Sequence, residues 1–297
     1  MAWRGVHITR PARLTLLDRQ LIVKQDDGEV SLALEDIAWL IVDTPQATVT
    51  TPLLSACMEA GIAVVTTDAR HMPSGLLLPF HRHHRQAAVA TLQTETSVPL
   101  RKRLWQALVR AKLANQAAVL DALGSEGGDT VNKMVEHVAS GDPDNVEARA
   151  ARAYWACLWE DFVRDDDGDA RNMRLNYGYG VLRACVARAL VASGFLPAIG
   201  LHHASATNSF NLADDLIEPF RPFADHLVWS MSDGSGALAK GLSRDDRQVL
   251  ASLPLRECRV GGDRLTLLAA SERCAESLVR AIEGKTPALL ELPLFGS

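Results

Sequence analysis

Long hydrophobic runs are missing from this 297-residue sequence, although 47% of its residues are hydrophobic. Charged residues make up 23% of the chain and interrupt every apolar stretch, which excludes a membrane-spanning helix. The first seven residues also lack the apolar core of a secretory signal. The length suits one large domain or two moderate ones, each with its own core.

Paired cysteines are missing as well. The five cysteines are odd in number, far apart and never in a CxxC pair, so none favours a structural zinc site. This pattern is typical of reduced, mostly buried thiols, and we expect a cytoplasmic protein. The cysteines are Cys57, Cys157, Cys185, Cys258 and Cys274.

Lysine is scarce, since only six of the 31 basic residues are lysines and the rest are arginines, which bind phosphate bidentately. A net charge of −5 argues against a uniformly basic DNA coat. It does not exclude a nucleic-acid enzyme, because charge can be concentrated locally and a metal can offset acidic residues. Residues 81–120 hold seven basic residues and one acidic residue. They form either a solvated helix face with a charged linker or a surface for DNA phosphates, and the candidate contacts are Arg82, Arg85, Arg101, Lys102 and Arg103.

The sequence predicts an α+β fold, with a small β-rich domain at residues 1–78. Asp26-Asp27-Gly28 is a tight-turn signal, and residues 30–34 then alternate with a period of two. Residues 37–42 and 62–66 are short apolar runs of the kind buried inside a sheet. Between them, residues 52–60 suit a helix that Gly61 ends.

A larger all-α domain is predicted at residues 99–297, after a polar linker at 79–98 that begins with three histidines and two arginines. This histidine-rich stretch is either a basic segment near DNA or a second metal cluster. Ser232–Gly236 is expected to be flexible, and the apolar tail 289–295 docks either on its own core or on a partner. The predicted helices cover residues 100–124, 131–138, 142–162, 172–193, 211–222 and 243–253.

Three segments carry candidate chemistry. Glu147 follows the N-cap candidates Asp144 and Asn145, and it heads an otherwise small and apolar helix face. A carboxylate in a first turn can also simply stabilise the helix dipole. The second segment is Gly200-Leu201-His202-His203, on a loop after the long helix, where a polar surface pair is the alternative to ligands.

The third segment places Asp214, Asp215 and Glu218 within five residues, beside apolar side chains. Like charges at helical spacing repel, so these acids need a cation, either Arg221 or a divalent metal. One imidazole and two carboxylates from the three segments form a sound ligand set for Mg²⁺ or Mn²⁺. Such a site favours phosphoryl transfer.

The motifs, in this order, resemble the CRISPR-associated integrase of spacer acquisition, the universal first CRISPR-associated protein, and its type II branch in particular. The resemblance spans nearly the whole chain. It rests on Trp3-Arg4, Met72-Pro73, Leu76–Pro79, Val146-Glu147-Ala148, Ala151, Tyr154-Trp155, Leu175–Tyr179, Gly200–His203 and Leu212–Arg221.

The resemblance implies that Glu147, His203 and Glu218 are the metal ligands and catalytic residues. His203 is preferred to His202 because it is the third residue after Gly200. Many relatives have aspartate where Glu218 stands, which offers the same oxygen chemistry. Asp215 and His202 are the candidates for supporting these ligands, with Asp215 orienting His203 or a metal-bound water.

The resemblance further implies a β-domain joined to a helical catalytic domain, a homodimer, and a heterohexamer with a small companion CRISPR-associated protein. By implication, the prespacer 3′-hydroxyl attacks a phosphodiester of double-stranded DNA at the leader–repeat boundary, with Mg²⁺ or Mn²⁺ bound. Two alternative functions are a general metal-dependent nuclease and a non-catalytic DNA-binding scaffold. The nuclease would share the three site residues but cut DNA without the companion protein or a repeat target, whereas the scaffold would tolerate alanine at Glu147, His203 and Glu218.

Overall fold

A computed structural model describes residues 2–232 and 238–296 of the chain. Of the segment expected to be flexible, residues 233–236 therefore lie outside the described residues. The N-terminal part is strand-rich, as the sequence predicts. Its elements are β1 (Arg4–Ile8), β2 (Ala12–Leu17), β3 (Gln20–Gln25), β4 (Gly28–Ala33), β5 (Ile37–Val42), β6 (Ala47–Val49), α1 (Thr51–Ala60), β7 (Ala63–Thr67) and β8 (Pro73–Leu77).

These strands form two four-stranded sheets. The first has the order β1-β5-β7-β8, in which only β8 is antiparallel to its neighbour. The second has the order β4-β3-β2-β6, and its β3–β4 hairpin turns at Asp26-Asp27, where the sequence predicts a turn. Gly61 ends α1 with a φ of 74°, a left-handed conformation that glycine adopts without strain.

The apolar run of β5 is explained by burial on both faces of the first sheet. Leu40 packs in the core between the sheets, together with Leu14 and Leu53. Trp39 and Ile41 belong to the core that the sheet shares with the helices. The sheet is therefore the layer that joins the two parts of the chain.

Nine helices and one hairpin follow in the rest of the described chain. Residues 79–98, expected as a linker, include a helix whose Val89 is buried. The elements are α2 (Gln86–Thr94), α3 (Val98–Ala122), α4 (Gly128–Val135), α5 (Val146–Leu158), α6 (Ala170–Ala192), α7 (Asn211–Leu216), α8 (Arg221–Ser230), α9 (Arg244–Ala251), β9 (Glu257–Val260), β10 (Asp263–Thr266) and α10 (Leu267–Glu283). None of the described helices is long and apolar enough to span a membrane.

The prediction of an all-α C-terminal domain is wrong, because β9 and β10 pair as an antiparallel hairpin. Gly261 and Gly262, with φ of 58° and 93°, form its two-residue turn. Two positive φ angles match the twist of a tight hairpin, and glycine reaches them without strain. Arg259 of β9 also pairs with Leu294 of the apolar tail. That tail lies on its own chain, where Phe295 packs against Phe223 at a centroid distance of 5.2 Å.

The two parts of the chain are joined by close packing and by one buried carboxylate. A Cβ added at Gly180 of α6 would lie 2.9 Å from Pro73 Cγ, so the glycine permits the close approach of β8. Asp43, at the end of β5, is fully buried and accepts a hydrogen bond from Arg247 Nε of α9 at 2.6 Å. His7 and His71 contact the same carboxylate at 3.0 and 2.7 Å.

Candidate metal centre

Glu147 lies in the first turn of α5 and Asn145 at its N-cap position, both as predicted, but the side chain of Asp142 provides the capping hydrogen bonds. The Asp142 carboxylate accepts the backbone N–H groups of Val146 and Glu147, each at 2.9 Å. Asn145 takes the N-cap position in a left-handed conformation without a side-chain cap, and Asp144 is exposed. The Glu147 side chain keeps 24% of its surface exposed, so it can be reached from solvent.

Glu218 lies in a tight 3₁₀ turn between two helices, because the helix predicted over 211–222 is interrupted. The first helix, α7, ends at Leu216, and α8 begins at Arg221. Pro219 provides no backbone N–H for a continuous α-helical ladder. The Glu218 side chain is only 5% exposed, and its Oε1 lies 3.0 Å from Arg221 Nε.

The three acids of this segment have separate partners. Asp214 binds the Arg183 guanidinium through both carboxylate oxygens, each at 2.7 Å. Asp215 is fully buried and accepts hydrogen bonds from the loop that carries His203. Repulsion between the acids is thereby relieved by neighbouring donors of the chain itself, including Arg221 for Glu218.

Asp215 organises the histidine loop. Its carboxylate accepts the backbone N–H groups of Leu201, His202 and His203 at 2.6 to 3.1 Å. It also contacts His203 Nδ1 at 2.7 Å. A Cβ added at Gly200 would lie 2.2 Å from the His203 carbonyl oxygen, so this turn requires glycine. Because a carboxylate only accepts, Nδ1 carries the proton and Nε2 presents its lone pair.

His202 stacks on Trp105 of α3, with ring centroids 4.3 Å apart and an interplanar angle of 3°. The same indole meets the His203 ring edge-on at 5.7 Å. Trp105 is 2% exposed and therefore fixed in the core. Both imidazoles are thus in contact with one rigid indole. His202 supports the site by stacking on Trp105.

Lys112 of α3 joins the two glutamates. Its Nζ lies 2.6 Å from Glu147 Oε1 and 2.5 Å from Glu218 Oε2. Two carboxylates that are 71 residues apart in the sequence therefore meet at one ammonium group. His203 is near enough to Glu218 for each to affect the other's pKa. Across residues 2–232 and 238–296, however, no three His, Cys, Asp or Glu side chains already converge as a metal-binding group.

The charges of the site determine its protonation. Burial alone raises the pKa of the Glu218 carboxyl, but Arg221 and Lys112 outweigh it and hold the pKa below its ordinary value. The hydrogen bond to Asp215 raises the pKa of the His203 imidazole. Burial lowers the pKa of Lys112, whereas Glu218 and Glu147 reverse this effect and raise it. Glu218 is therefore a carboxylate at neutral pH.

A polar network lies behind Glu218. Asn115 of α3 donates to the Pro219 carbonyl at 2.7 Å and to the Pro293 carbonyl at 2.9 Å. Its side-chain oxygen accepts the Phe295 backbone N–H at 2.9 Å. The apolar tail is thereby connected to the turn that carries Glu218.

Asp225 of α8 is a second buried carboxylate near this turn. It is 1% exposed and is bonded by the hydroxyl groups of Tyr154 and Tyr179. The Arg221 guanidinium lies over the Tyr179 ring, 4.9 Å from its centroid. Burial raises the pKa of Asp225 to about 7, even though both tyrosines and Arg221 act in the opposite direction.

The candidate DNA contacts fall into two groups. Arg82 donates to the carbonyls of Glu59 and Ala60 at the end of α1, and Arg85 pairs with Glu283 at 2.9 Å. These two cations are already bound within the chain. The other three lie on the first turns of α3, where Arg103 donates a long hydrogen bond of 3.4 Å to the Lys285 carbonyl, and among the described residues none of the three forms an ion pair. They are Arg101, Lys102 and Arg103.

Lys112 and Trp105 were not predicted as site residues, although the sequence carries a signal for both. Trp105, Leu108, Lys112, Gln116 and Val119 follow one another at spacings of three or four, and all are buried. Lys112 is the one charged residue on this stripe. A lysine on a buried stripe needs an anionic partner, which points to acidic residues elsewhere in the chain.

Comparisons with known proteins agree with one another. The family model described as "CRISPR associated protein Cas1" matches residues 6–252. A relative from Neisseria meningitidis serogroup C (strain 8013), named CRISPR-associated endonuclease Cas1, is 38% identical over 294 residues. These residues cover 99% of this chain and 96% of the relative.

Two solved structures share the fold at low sequence identity. A casposase bound to integration product superposes with a TM-score of 0.79 at 17% identity, covering 96% of this chain and 92% of the other. A chain of a Cas6-RT-Cas1–Cas2 complex superposes with a TM-score of 0.74 at 18% identity. This match covers 97% of the present chain and 36% of the other.

Proposed function

This chain belongs to the CRISPR associated protein Cas1 family, and from that premise we propose that it is a metal-dependent DNA integrase and endonuclease. It inserts foreign DNA prespacers into a CRISPR array during spacer acquisition. The observation that carries this proposal is the meeting of Glu147 and Glu218 at one ammonium group, together with the His203 ring that Asp215 orients, which is near enough to Glu218 for each to affect the other's pKa. These residues come from three separate segments of the chain.

The metal ligands in this proposal are Glu147, His203 and Glu218, and their chemistry fits a divalent ion. Glu218 Oε2 is buried and accepts no hydrogen bond in the described chain. This carboxylate oxygen is therefore available to bind a metal ion. His203 presents Nε2, since Nδ1 donates to Asp215. Hard oxygen donors suit Mg²⁺ and Mn²⁺, and the imidazole favours Mn²⁺. When bound, such an ion polarises a phosphodiester and lowers the pKa of a coordinated hydroxyl or water.

The chain's own residues prepare the site for the reaction. Asp215 fixes the tautomer and the orientation of His203, and Trp105 restricts the movement of both histidine rings. Arg221 lowers the pKa of the Glu218 carboxyl and so keeps it ionised. The partly exposed Glu147 and His203 form the open side of the site, so a DNA phosphate approaches over them while the buried Glu218 forms its floor.

Two nucleophiles suit this arrangement. Attack by a prespacer 3′-hydroxyl joins the prespacer to the repeat and releases the 3′-oxygen of the cleaved strand. Attack by water at the same phosphodiester cuts DNA instead, which agrees with the endonuclease name of the Neisseria relative. One site therefore supports both integration and cleavage.

The partners in this proposal are double-stranded DNA, a second copy of the chain and the companion protein Cas2 in a heterohexamer. A similar chain has been solved in a complex that includes Cas2, which supports the companion. Arg101, Lys102 and Arg103 supply cations for DNA phosphates on the exposed start of α3. Such contacts position DNA without reading its sequence.

An integration assay on a supercoiled CRISPR plasmid tests this function. The variants Glu147→Gln, His203→Ala and Glu218→Gln are compared with Glu136→Gln, which removes an exposed carboxylate at the C-terminal end of α4. We expect branched strand-transfer products that need Mg²⁺ or Mn²⁺, Glu147, His203 and Glu218, while Glu136→Gln retains activity. Cleavage of any DNA without Cas2 or a repeat favours the general nuclease. Unaltered products from all variants favour the scaffold and refute the mechanism.

A further inference from the structure

Lys112 occupies the position between the two glutamates where the proposed function requires a metal ion. Its Nζ lies within 2.6 Å of an oxygen of each. The Lys112 side chain is 11% exposed, and it enters the site from the middle of α3, the longest helix described. It is therefore part of the helical framework.

The two contacts of Lys112 differ in quality. Nζ donates a hydrogen bond to Glu147 Oε1. At Glu218 Oε2 the distance is 2.5 Å, yet this oxygen has no hydrogen bond of acceptable geometry in the part of the chain described. The opposite charges attract the ammonium group to this oxygen, but the two groups do not form a hydrogen bond. A divalent metal ion bonds a carboxylate oxygen directly and needs no N–H aligned with it, so it satisfies the oxygen that Lys112 leaves without a hydrogen bond.

The charges of the two glutamates and of the cations that pair directly with them cancel. Glu147 and Glu218 supply two negative charges, and Lys112 and Arg221 supply two positive charges. Addition of a divalent ion leaves an excess of positive charge in a largely buried site. Such an excess is costly unless an anion enters or a cation leaves.

We propose that Lys112 is a built-in substitute cation, which neutralises Glu147 and Glu218 until a divalent ion displaces its ammonium group. This proposal rests on the proposed function for the identity of the metal ligands. It has two consequences. Lys112 weakens metal binding to the free protein, and DNA phosphate strengthens it by supplying the missing negative charge.

The Lys112→Met variant tests this exchange, because methionine is unbranched and apolar and removes only the charged end of the side chain. Lys133→Met, at an exposed position of α4, is the control. Mn²⁺ binding is measured by titration calorimetry and by electron paramagnetic resonance, and thermal stability is measured with and without Mn²⁺.

We expect Lys112→Met to bind Mn²⁺ at least tenfold more tightly than the unmodified chain. It should melt at a lower temperature without Mn²⁺ and recover most of this loss when Mn²⁺ is added. We also expect short duplex DNA to increase the Mn²⁺ affinity of the unmodified chain more than that of Lys112→Met. Equal or weaker Mn²⁺ binding by Lys112→Met overturns the proposal.

A second measurement uses the unmodified chain, in case Lys112→Met does not fold. Reductive methylation of lysines is followed by mass spectrometry, with Lys133, which is exposed on α4, as the reference. Mn²⁺ and duplex DNA together should increase labelling of Lys112 relative to Lys133. Constant labelling of Lys112 while Mn²⁺ is bound overturns the exchange.

Failure of the exchange can be separated from failure of the proposed function. Mn²⁺ binding that is lost in Glu147→Gln and Glu218→Gln but unchanged in Lys112→Met overturns the exchange alone. Mn²⁺ binding by none of these chains overturns the ligand set and the exchange together.

Discussion

The Asp215 carboxylate holds His203 twice, through the backbone N–H at 3.1 Å and through Nδ1 at 2.7 Å. One buried acid therefore sets both the position of the loop and the orientation of the ring. The free Nε2 of His203 follows from this relationship. The metal centre proposed for this Cas1 protein depends on it.

Asp215→Asn should lower the pKa of His203, because the raised pKa comes first from the hydrogen bond to Asp215. The amide removes the negative charge and offers one acceptor oxygen in place of two. An NMR pH titration of the His203 ring, without metal, measures this pKa. Asp214→Asn is the control, because Asp214 raises the pKa of His203 by its charge alone and makes no hydrogen bond to the ring. We expect this variant to lower the His203 pKa by less than Asp215→Asn does. An unchanged pKa in Asp215→Asn contradicts this role.

The same substitution should weaken Mn²⁺ binding by roughly 10–100-fold, the usual effect of removing a group that orients a metal-binding histidine. Titration calorimetry at a pH above the His203 pKa measures it. A chain that folds and binds Mn²⁺ with unchanged affinity shows that Asp215 does not orient the ligand.

Asp225→Asn should change how stability depends on pH. The pKa of Asp225 is raised to about 7, whereas an unfolded aspartate ionises near 3.8. Between these values the folded state keeps a proton that the unfolded state has released, so this group's stabilisation decreases as the pH rises. The decrease is on the order of 4 kcal/mol, from about 1.4 kcal/mol per pKa unit.

Urea unfolding of both chains at several pH values measures this effect. Relative to the unmodified chain, Asp225→Asn should become more stable as the pH rises from about 4 to 7, because asparagine does not ionise. A difference in free energy that stays constant over this range contradicts the assignment.

Asp43→Ala should destabilise the protein by roughly 3–5 kcal/mol, because it leaves the buried Arg247 without its partner. Burial raises the pKa of Asp43, but hydrogen bonds from His7, Arg247 and His71 lower it to about 2. Its stabilisation is therefore complete above the unfolded pKa and is lost as the pH falls toward 2. Chemical unfolding at pH 7 measures the effect, with the exposed Glu35→Ala as control. Equal free energies of unfolding for Asp43→Ala and Glu35→Ala contradict this prediction.

Charge reversal at Arg101, Lys102 or Arg103 should weaken DNA binding equally for duplexes of different sequence, because phosphate contacts carry no base information. Removal of one cation from the DNA phosphates should reduce the slope of log K against log salt concentration by about 0.9. Fluorescence anisotropy at several salt concentrations measures both quantities. Unchanged binding at moderate salt contradicts the proposed role of these cations.

The sequence was most informative where local chemistry determines the structure. Asp26-Asp27-Gly28 predicted the β3–β4 hairpin, and the apolar run 37–42 predicted a buried strand. The polar residues before Glu147 predicted its position in a first helical turn. The β9–β10 hairpin was not predicted, because residues 99–297 were assigned to an all-α domain. Gly261-Gly262 was nevertheless a sequence signal for its turn.

Long-range partners could not be predicted in the same way. Lys112 was assigned to a basic stretch, and only the fold brings it to Glu147 and Glu218. The Asp225 network joins residues 46 and 71 positions apart, and no local pattern encodes that distance. Pairing across the fold depends on packing, which a single sequence does not display.

The most direct test of the metal centre is anomalous diffraction at the manganese edge, from crystals of the protein grown with Mn²⁺ and duplex DNA. We expect one anomalous peak bounded by Glu147, Glu218 and Nε2 of His203, with the Lys112 ammonium group displaced from its position between the two glutamates. A Mn²⁺ ion that is coordinated by other side chains, and by none of Glu147, Glu218 and His203, contradicts this account.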